Sequence, residues 1–128
     1  MAGLTDLDAL IRTMEPVRRA GSYVVLSLPE VPDLPLEATI RESEGVTVVV
    51  AQETADAAGF GYDFVAGWIT LTVHSSLEAV GLTAAVAAAL GEAGISCNVL
   101  AGYHHDHLLV PVAEVSRAIE VLRALADA

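Results

Sequence analysis

Four consecutive residues near the end of the chain, His104-His105-Asp106-His107, carry side chains that can ligate metals and move protons. A tetrahedral zinc site needs about four ligands arriving from different directions, which neighbours on one strand cannot supply together. On extended backbone His105 and His107 share one face while Asp106 takes the other. His74, at the end of an earlier apolar stretch, could add one more ligand, but no Cys-x-x-Cys or His-Glu-x-x-His spacing accompanies the cluster. The pattern therefore reads as a strand junction, with Asp106 accepting N–H groups of a turn and His107 filling the second face of a sheet. No metal and no other cofactor is expected.

The stretch from Ser75 to Thr83 points to binding instead. A helix that starts near Gly81 presents the N–H groups of Gly81, Leu82 and Thr83 without intrahelical acceptors, and its dipole favours an anion there. Glycine at that point lets a ligand come close to the backbone. The carboxylate of a free amino acid matches this end, Glu78 or Asp106 can meet its ammonium group, and Asn98 can both donate and accept. The expected ligand-binding set is Ser75, Ser76, Glu78, Val80, Gly81, Leu82, Asn98 and Asp106. A plainer reading has Ser75 or Ser76 capping a turn and Gly81 merely permitting the chain to bend.

Catalysis finds little support. Ser75 and Ser76 follow His74 directly, and adjacent residues at a strand end do not aim at each other. No Gly-x-Ser-x-Gly turn is present, and "AGFGYD" has too few glycines and no following helix for a phosphate loop. Cys97 alternates onto the face of Val99 as a small hydrophobe, whereas a reactive thiol needs an exposed, electropositive setting. The chain is not expected to be an enzyme.

The elements that must position these residues follow from periodicity. Leu4, Leu7, Ile11 and Met14 define one face of a helix over about residues 4–14, with Thr5 and Asp8 spaced as a capping pair. Pro16 and Gly21 bracket its end, "SYVVLSL" (residues 22–28) reads as a buried strand, and Pro29, Pro32 and Pro35 mark a turn or an extended loop. "ATIRE" and "VTVVVA" flank Ser43-Glu44-Gly45 as a hairpin, and Thr54 could cap a brief helix ending at Gly59. In "WITLTVH", Ile69, Leu71 and Val73 face one way and Trp68, Thr70, Thr72 and His74 the other, a strand with one deeply buried face. The next helix carries Leu82, Val86, Ala89, Leu90 and Ala93 as a stripe, and Gly94 followed by Ile95 suits a left-handed C-cap. "SCNVLA" and "HLLVP" form two further strands, and a last helix over about residues 115–126 buries Val115, Ala118, Ile119, Leu122 and Leu125.

Composition narrows the partners. The 128 residues suffice for one compact domain or two small halves sharing a core, and 54% of them are hydrophobic. The formal net charge is −11, with six arginines and no lysine, so nucleic acid and anionic membranes are not expected as partners. The longest apolar runs, such as residues 46–51, fall far short of the ~20 residues of a membrane helix. The acidic, amphipathic start is unlike a signal peptide, and one cysteine leaves no internal disulfide; a cytoplasmic location is the expectation.

From Trp68 onward the order is strand, helix, strand, strand, helix, and right-handed crossover puts both helices on one side of an antiparallel sheet. The chain ends on the helix, so the last strand of a ferredoxin-like α+β arrangement must come from elsewhere; residues 22–28 are the expected donor. The stretch "WITLTVHSSLEAVGLTAAVAAALGEAGISCNVLAGYHHDHLLVP" is similar to the ACT domain family, most closely in "VGLTAAVAAALGEAGIS". That segment resembles ACT domains of aspartate kinases and of animal arginine sensors, and the whole chain, with "LPEVP" and "ESEGVTVVV", resembles small stand-alone bacterial ACT proteins. The resemblance implies two intertwined ACT-like units, residues 1–62 and 63–128, with antiparallel sheets and helices on one face. It also implies a regulatory role, an amino acid bound near the first loop-helix junction, and a homodimer joined through sheet or helix edges. Where ACT domains commonly start this loop with Pro-Gly, this chain has Ser75-Ser76-Leu77-Glu78. The apolar excess and open sheet edge also fit an interaction module without a small ligand.

Overall fold

The computed structural model describes residues 6–73 and 79–128. Its element order is α1 (Leu7–Thr13), β1 (Pro16–Leu28), β2 (Ala38–Glu42), β3 (Gly45–Ala51), α2 (Gln52–Ala58), β4 (Val65–Leu71), α3 (Leu82–Glu92), β5 (Asn98–Ala101), β6 (Asp106–Pro111) and α4 (Val115–Asp127). A 3-10 turn, Val112–Glu114, leads into α4. Two compact units result: residues up to Arg19 together with Gly67–Ala128, and Ala20–Ala66. The fold is α+β and ferredoxin-like, with antiparallel pairing and helices.

In the first unit the strands run in the order β1, β4, β6, β5, with β1 entering through its first residues. The Thr72 N–H donates to the Glu15 carbonyl at 2.9 Å, and the Thr72 hydroxyl reaches the same oxygen at 2.8 Å. β5 and β6 pair antiparallel, Asn98 opposite Leu109 and Ala101 opposite Asp106. Period-two alternation delivers Ile69, Leu71, Leu108 and Val110 to a core shared with Leu82, Val86 and Leu90 of α3 and Val115, Ala118 and Leu122 of α4. Leu10 and Met14 join it from the amino-terminal end of the chain.

Helix ends follow local chemistry. The first described residue, Asp6, caps α1, its carboxylate accepting from the Asp8 and Ala9 N–H groups at 3.0 and 3.4 Å. Thr5, the cap expected from sequence, lies outside the described residues. Asp6→Ala is expected to lower stability by about 1 kcal/mol, as loss of an N-cap oxygen does; a denaturant midpoint equal to the wild type would contradict that assignment. α3 ends as its sequence predicts. Gly94 is left-handed at φ 74°, Gly94 N–H bonds the Gly91 carbonyl, and Ile95 N–H bonds the Leu90 carbonyl at 2.9 Å while its side chain enters the core.

The second unit has strand order β2, β3, β1. Tyr23 to Leu28 pair antiparallel with Val46 to Ala51, and β2 lies against the other edge of β3. Ser43 and Glu44 form the hairpin turn, and Gly45 at φ 152° comes so near the Leu28 carbonyl that a Cβ would sit 2.7 Å from it. Val24, Leu26, Val46, Val48 and Val50 make the core, joined by Ala55 of α2 and flanked by Phe60, Tyr62 and Val65. β1 starts at Pro16, six residues before the strand expected at 22–28, and continues through Gly21 at φ 89°. α2 begins at Gln52, so Thr54 lies within the helix.

Candidate functional site

α3 opens at Gly81, whose φ of 101° is left-handed and whose missing side chain offers the helix no capping oxygen. The first intrahelical bond runs from the Ala85 N–H to the Gly81 carbonyl at 2.9 Å, which leaves the preceding N–H groups pointing out of the helix start. A Cβ at residue 81 would stand 2.9 Å from Leu7 Cδ2, so one side of this glycine is already occupied by α1. Val80 is 81% exposed just ahead of it, and Leu82 is buried in the core. Ser75, Ser76 and Glu78, with His74, lie outside the described residues.

Asp106 begins β6 and alternates with Leu108 and Val110 onto the sheet face that α3 and α4 cover. Because β6 runs antiparallel to β4, that start lies beside the end of β4 from which the chain proceeds to α3. Burial pushes the Asp106 carboxyl above the usual carboxylate range, against the opposing pull of His107. Asn98 is elsewhere: it faces Leu109 across the ladder, on the opposite sheet face, three rungs from the Ala101–Asp106 pair. The structure thus places Val80, Gly81, Leu82 and Asp106 at one end of the first unit and Asn98 apart from them.

The same alternation separates His107 from Asp106. His107 turns to the second face of the sheet, where the Trp68 indole Nε1–H donates to its Nδ1 at 3.1 Å and the Thr70 hydroxyl lies 3.0 Å from the same nitrogen. Indole is only a donor, so Nδ1 must offer its lone pair and the ring proton resides on Nε2. Arg19 lies over the Trp68 ring, 3.9 Å from its centroid. Burial lowers the pKa of His107 first, and the charges of Arg19 and His105 lower it further, while Asp106 raises it. The Gly102 N–H closes the β5–β6 loop on the His105 carbonyl at 2.9 Å. A Cβ on Gly102 would stand 2.7 Å from that oxygen and 3.1 Å from His107 Nε2. Tyr103 at the loop tip is 74% exposed and meets His104 edge to face. Among the described residues no three His, Cys, Asp or Glu side chains gather as a metal ion would require.

Sequence periodicity places Trp68 on one face of its strand and does not join it to His107 or Arg19. Alternation puts Trp68 and Thr70 on one face, but their pairing partners become visible only when β6 and the start of β1 take up places beside β4. Cys97 packs half-buried against the core, and that burial raises its thiol pKa, away from nucleophilic use. In the second unit a cleft of about 340 Å³ separates β1 from α2. A hydrogen-bonded chain borders it, from the Ser22 hydroxyl to Gln52 Oε1, from Gln52 Nε2 to the Tyr62 hydroxyl, and on to Asp56.

Strand order, crossover helices and a glycine-started helix beside a polar strand end define an α+β fold of ferredoxin type. Residues 2–67 match one ACT domain model and residues 63–124 match another. The chain belongs to the ACT domain family, whose members are regulatory modules that bind small molecules. It is similar to a Vibrio cholerae protein of unknown function, described as a possible transport protein, with 43% identity and a TM-score of 0.86 over 98% of this chain and 99% of that one. An Agrobacterium tumefaciens protein shares 18% identity and a TM-score of 0.67 over 88% of this chain and 89% of its own. The ligand-free regulatory subunit of aspartate kinase from Thermus thermophilus shares 10% identity and a TM-score of 0.65, over 88% and 96% of the two chains. The last two likenesses concern the fold alone. No curated protein matches the chain. No helix among the described residues is long and apolar enough to cross a membrane.

Proposed function

We propose that the protein is a cytoplasmic regulatory module that binds a free amino acid at the start of α3 and works as a homodimer. The observation behind this reading is Gly81, a left-handed glycine that opens α3 without a capping side chain. The ligand carboxylate accepts from the N–H groups that begin the helix, where the dipole favours negative charge. Asp106, on the helix-covered face near that end, takes the ammonium group, which would favour its ionised form. Ser75, Ser76 and Glu78 immediately precede the helix in sequence and complete the ligand's polar shell. Binding joins α3 to β6 and favours one arrangement of subunits, which is how such a module reports its ligand.

The test is a thermal melt of the protein against each of the common amino acids. One amino acid, or a chemically related few, is expected to raise the midpoint, by about 2.7 kcal/mol of stabilisation at a hundredfold excess over its dissociation constant. Asp106→Asn should remove that shift while leaving the ligand-free midpoint close to the wild type. A panel with no response would overturn amino-acid binding. It would favour a second reading, an interaction module without a small ligand, for which the exposed Val25 and Ile40 on one face of the second unit's strands speak. Concentration-dependent association in sedimentation would then be the readout.

A further inference from the structure

We propose that His107 is a pH-sensitive latch: its neutral imidazole ties β6 to Trp68 and Thr70 of β4, and taking up a proton breaks that tie and loosens the first unit. The tie depends on an unprotonated Nδ1. The Trp68 indole points its only hydrogen-bond donor at that nitrogen from 3.1 Å, and the Thr70 hydroxyl shares it at 3.0 Å. An imidazolium carries N–H on both nitrogens, so the Trp68 contact would become donor against donor. Turning the ring over restores nothing, because neither nitrogen of an imidazolium can accept.

The charges around the ring favour the neutral form. From β1, Arg19 lies over Trp68 and already places a cation beside the ring. From the loop, His105 adds a second titratable cation, while β4 contributes the neutral Trp68 and Thr70 and β5 sets apolar Leu100 opposite. Among the described residues Asp106 is the group that attracts a proton to the ring, and alternation sends it to the other sheet face. The unfolded chain releases this histidine from all of them, so its proton is bound near the ordinary value of 6.5. Above 6.5 the tie is fully present; as the pH falls from there through the lower folded value, the unfolded state binds more protons and stability is lost. Asp106 has the opposite sign. Its raised folded pKa makes acid stabilising as the pH falls toward its ordinary 3.8, so it cannot produce the loss.

Trp68 is the sole tryptophan, so its emission reports on this contact directly. Melting midpoint and tryptophan emission are to be followed from about pH 7.5 to about pH 5, across the histidine range, in the wild type and in His107→Asn. The asparagine amide oxygen can accept the indole hydrogen and does not titrate. The wild type should lose midpoint and change emission with acid, whereas the variant should hold both nearly constant. An NMR titration of the wild-type His107 ring, which needs no variant, should show protonation below 6.5. A ring that titrates at or above that value, or an asparagine variant that loses stability with acid as steeply as the wild type, would overturn the latch.

Discussion

Leu10→Ala is expected to lower the stability of the protein by about 2–5 kcal/mol, the range for a fully buried leucine truncated to alanine. Leu10 is 0% exposed and packs in the core that also holds Ile69, Leu90, Leu108 and Leu122, residues that lie far along the chain. Truncation removes its methyl groups from that core, and the surrounding helices can refill the space only in part. The effect is read as a fall in denaturant midpoint with an unchanged slope, since the surface exposed on unfolding stays the same. Asp8→Ala on the exposed side of the same short helix should change stability by less than about 0.5 kcal/mol. A Leu10→Ala midpoint within that margin would show that α1 is not part of the folded unit.

Gly67→Ala should cost about 1–3 kcal/mol by overpacking. The residue lies buried in β4, and a Cβ placed there would stand 2.0 Å from Val115 Cγ2 and 3.7 Å from the Val112 Cα. Val115 cannot simply swing aside, because a β-branched side chain in a helix has one strongly preferred rotamer. The first turn of α4 must therefore move off the sheet or the strand must bend. Pairing the change with Val115→Ala should recover part of the loss, so the two substitutions are non-additive in a double-mutant cycle. Strict additivity would mean that α4 does not begin against Gly67.

Several elements were legible because their signals are local. The stripe of Leu82, Val86 and Leu90, closed by Gly94 and Ile95, states a helix, its buried side and its end within fourteen residues. The hairpin through Ser43-Glu44-Gly45 and the buried face of Ile69 and Leu71 are equally self-contained. The beginning of β1 was not legible. Pro16, two arginines and Gly21 look like a break, yet proline is tolerated as a strand's first residue and glycine admits a positive φ inside one.

The candidate site divides in the same way. Gly81 at the start of α3 and the split of Asp106 from His107 follow from helix and strand periodicity, which any short window reveals. The separation of Asn98 from Asp106 is a matter of register: a hairpin ladder puts Asn98 opposite Leu109, and counting residues along one strand does not fix that rung. Leu7 against Gly81 depends on α1 reaching the front of α3, a contact between segments more than seventy residues apart.

By itself, then, the sequence determined the helices, most strands, the family likeness and the acidic, lysine-free surface, since each is written in nearest neighbours or in composition. Only the tertiary structure decided that the start of β1 stands beside β4 and that the second face of β4 is closed, with Trp68 only 3% exposed. It alone brought Arg19, Trp68, Thr70 and His107 together. Periodicity tells which way a side chain turns from its own backbone; which other strand it then meets depends on the order in which distant segments pair.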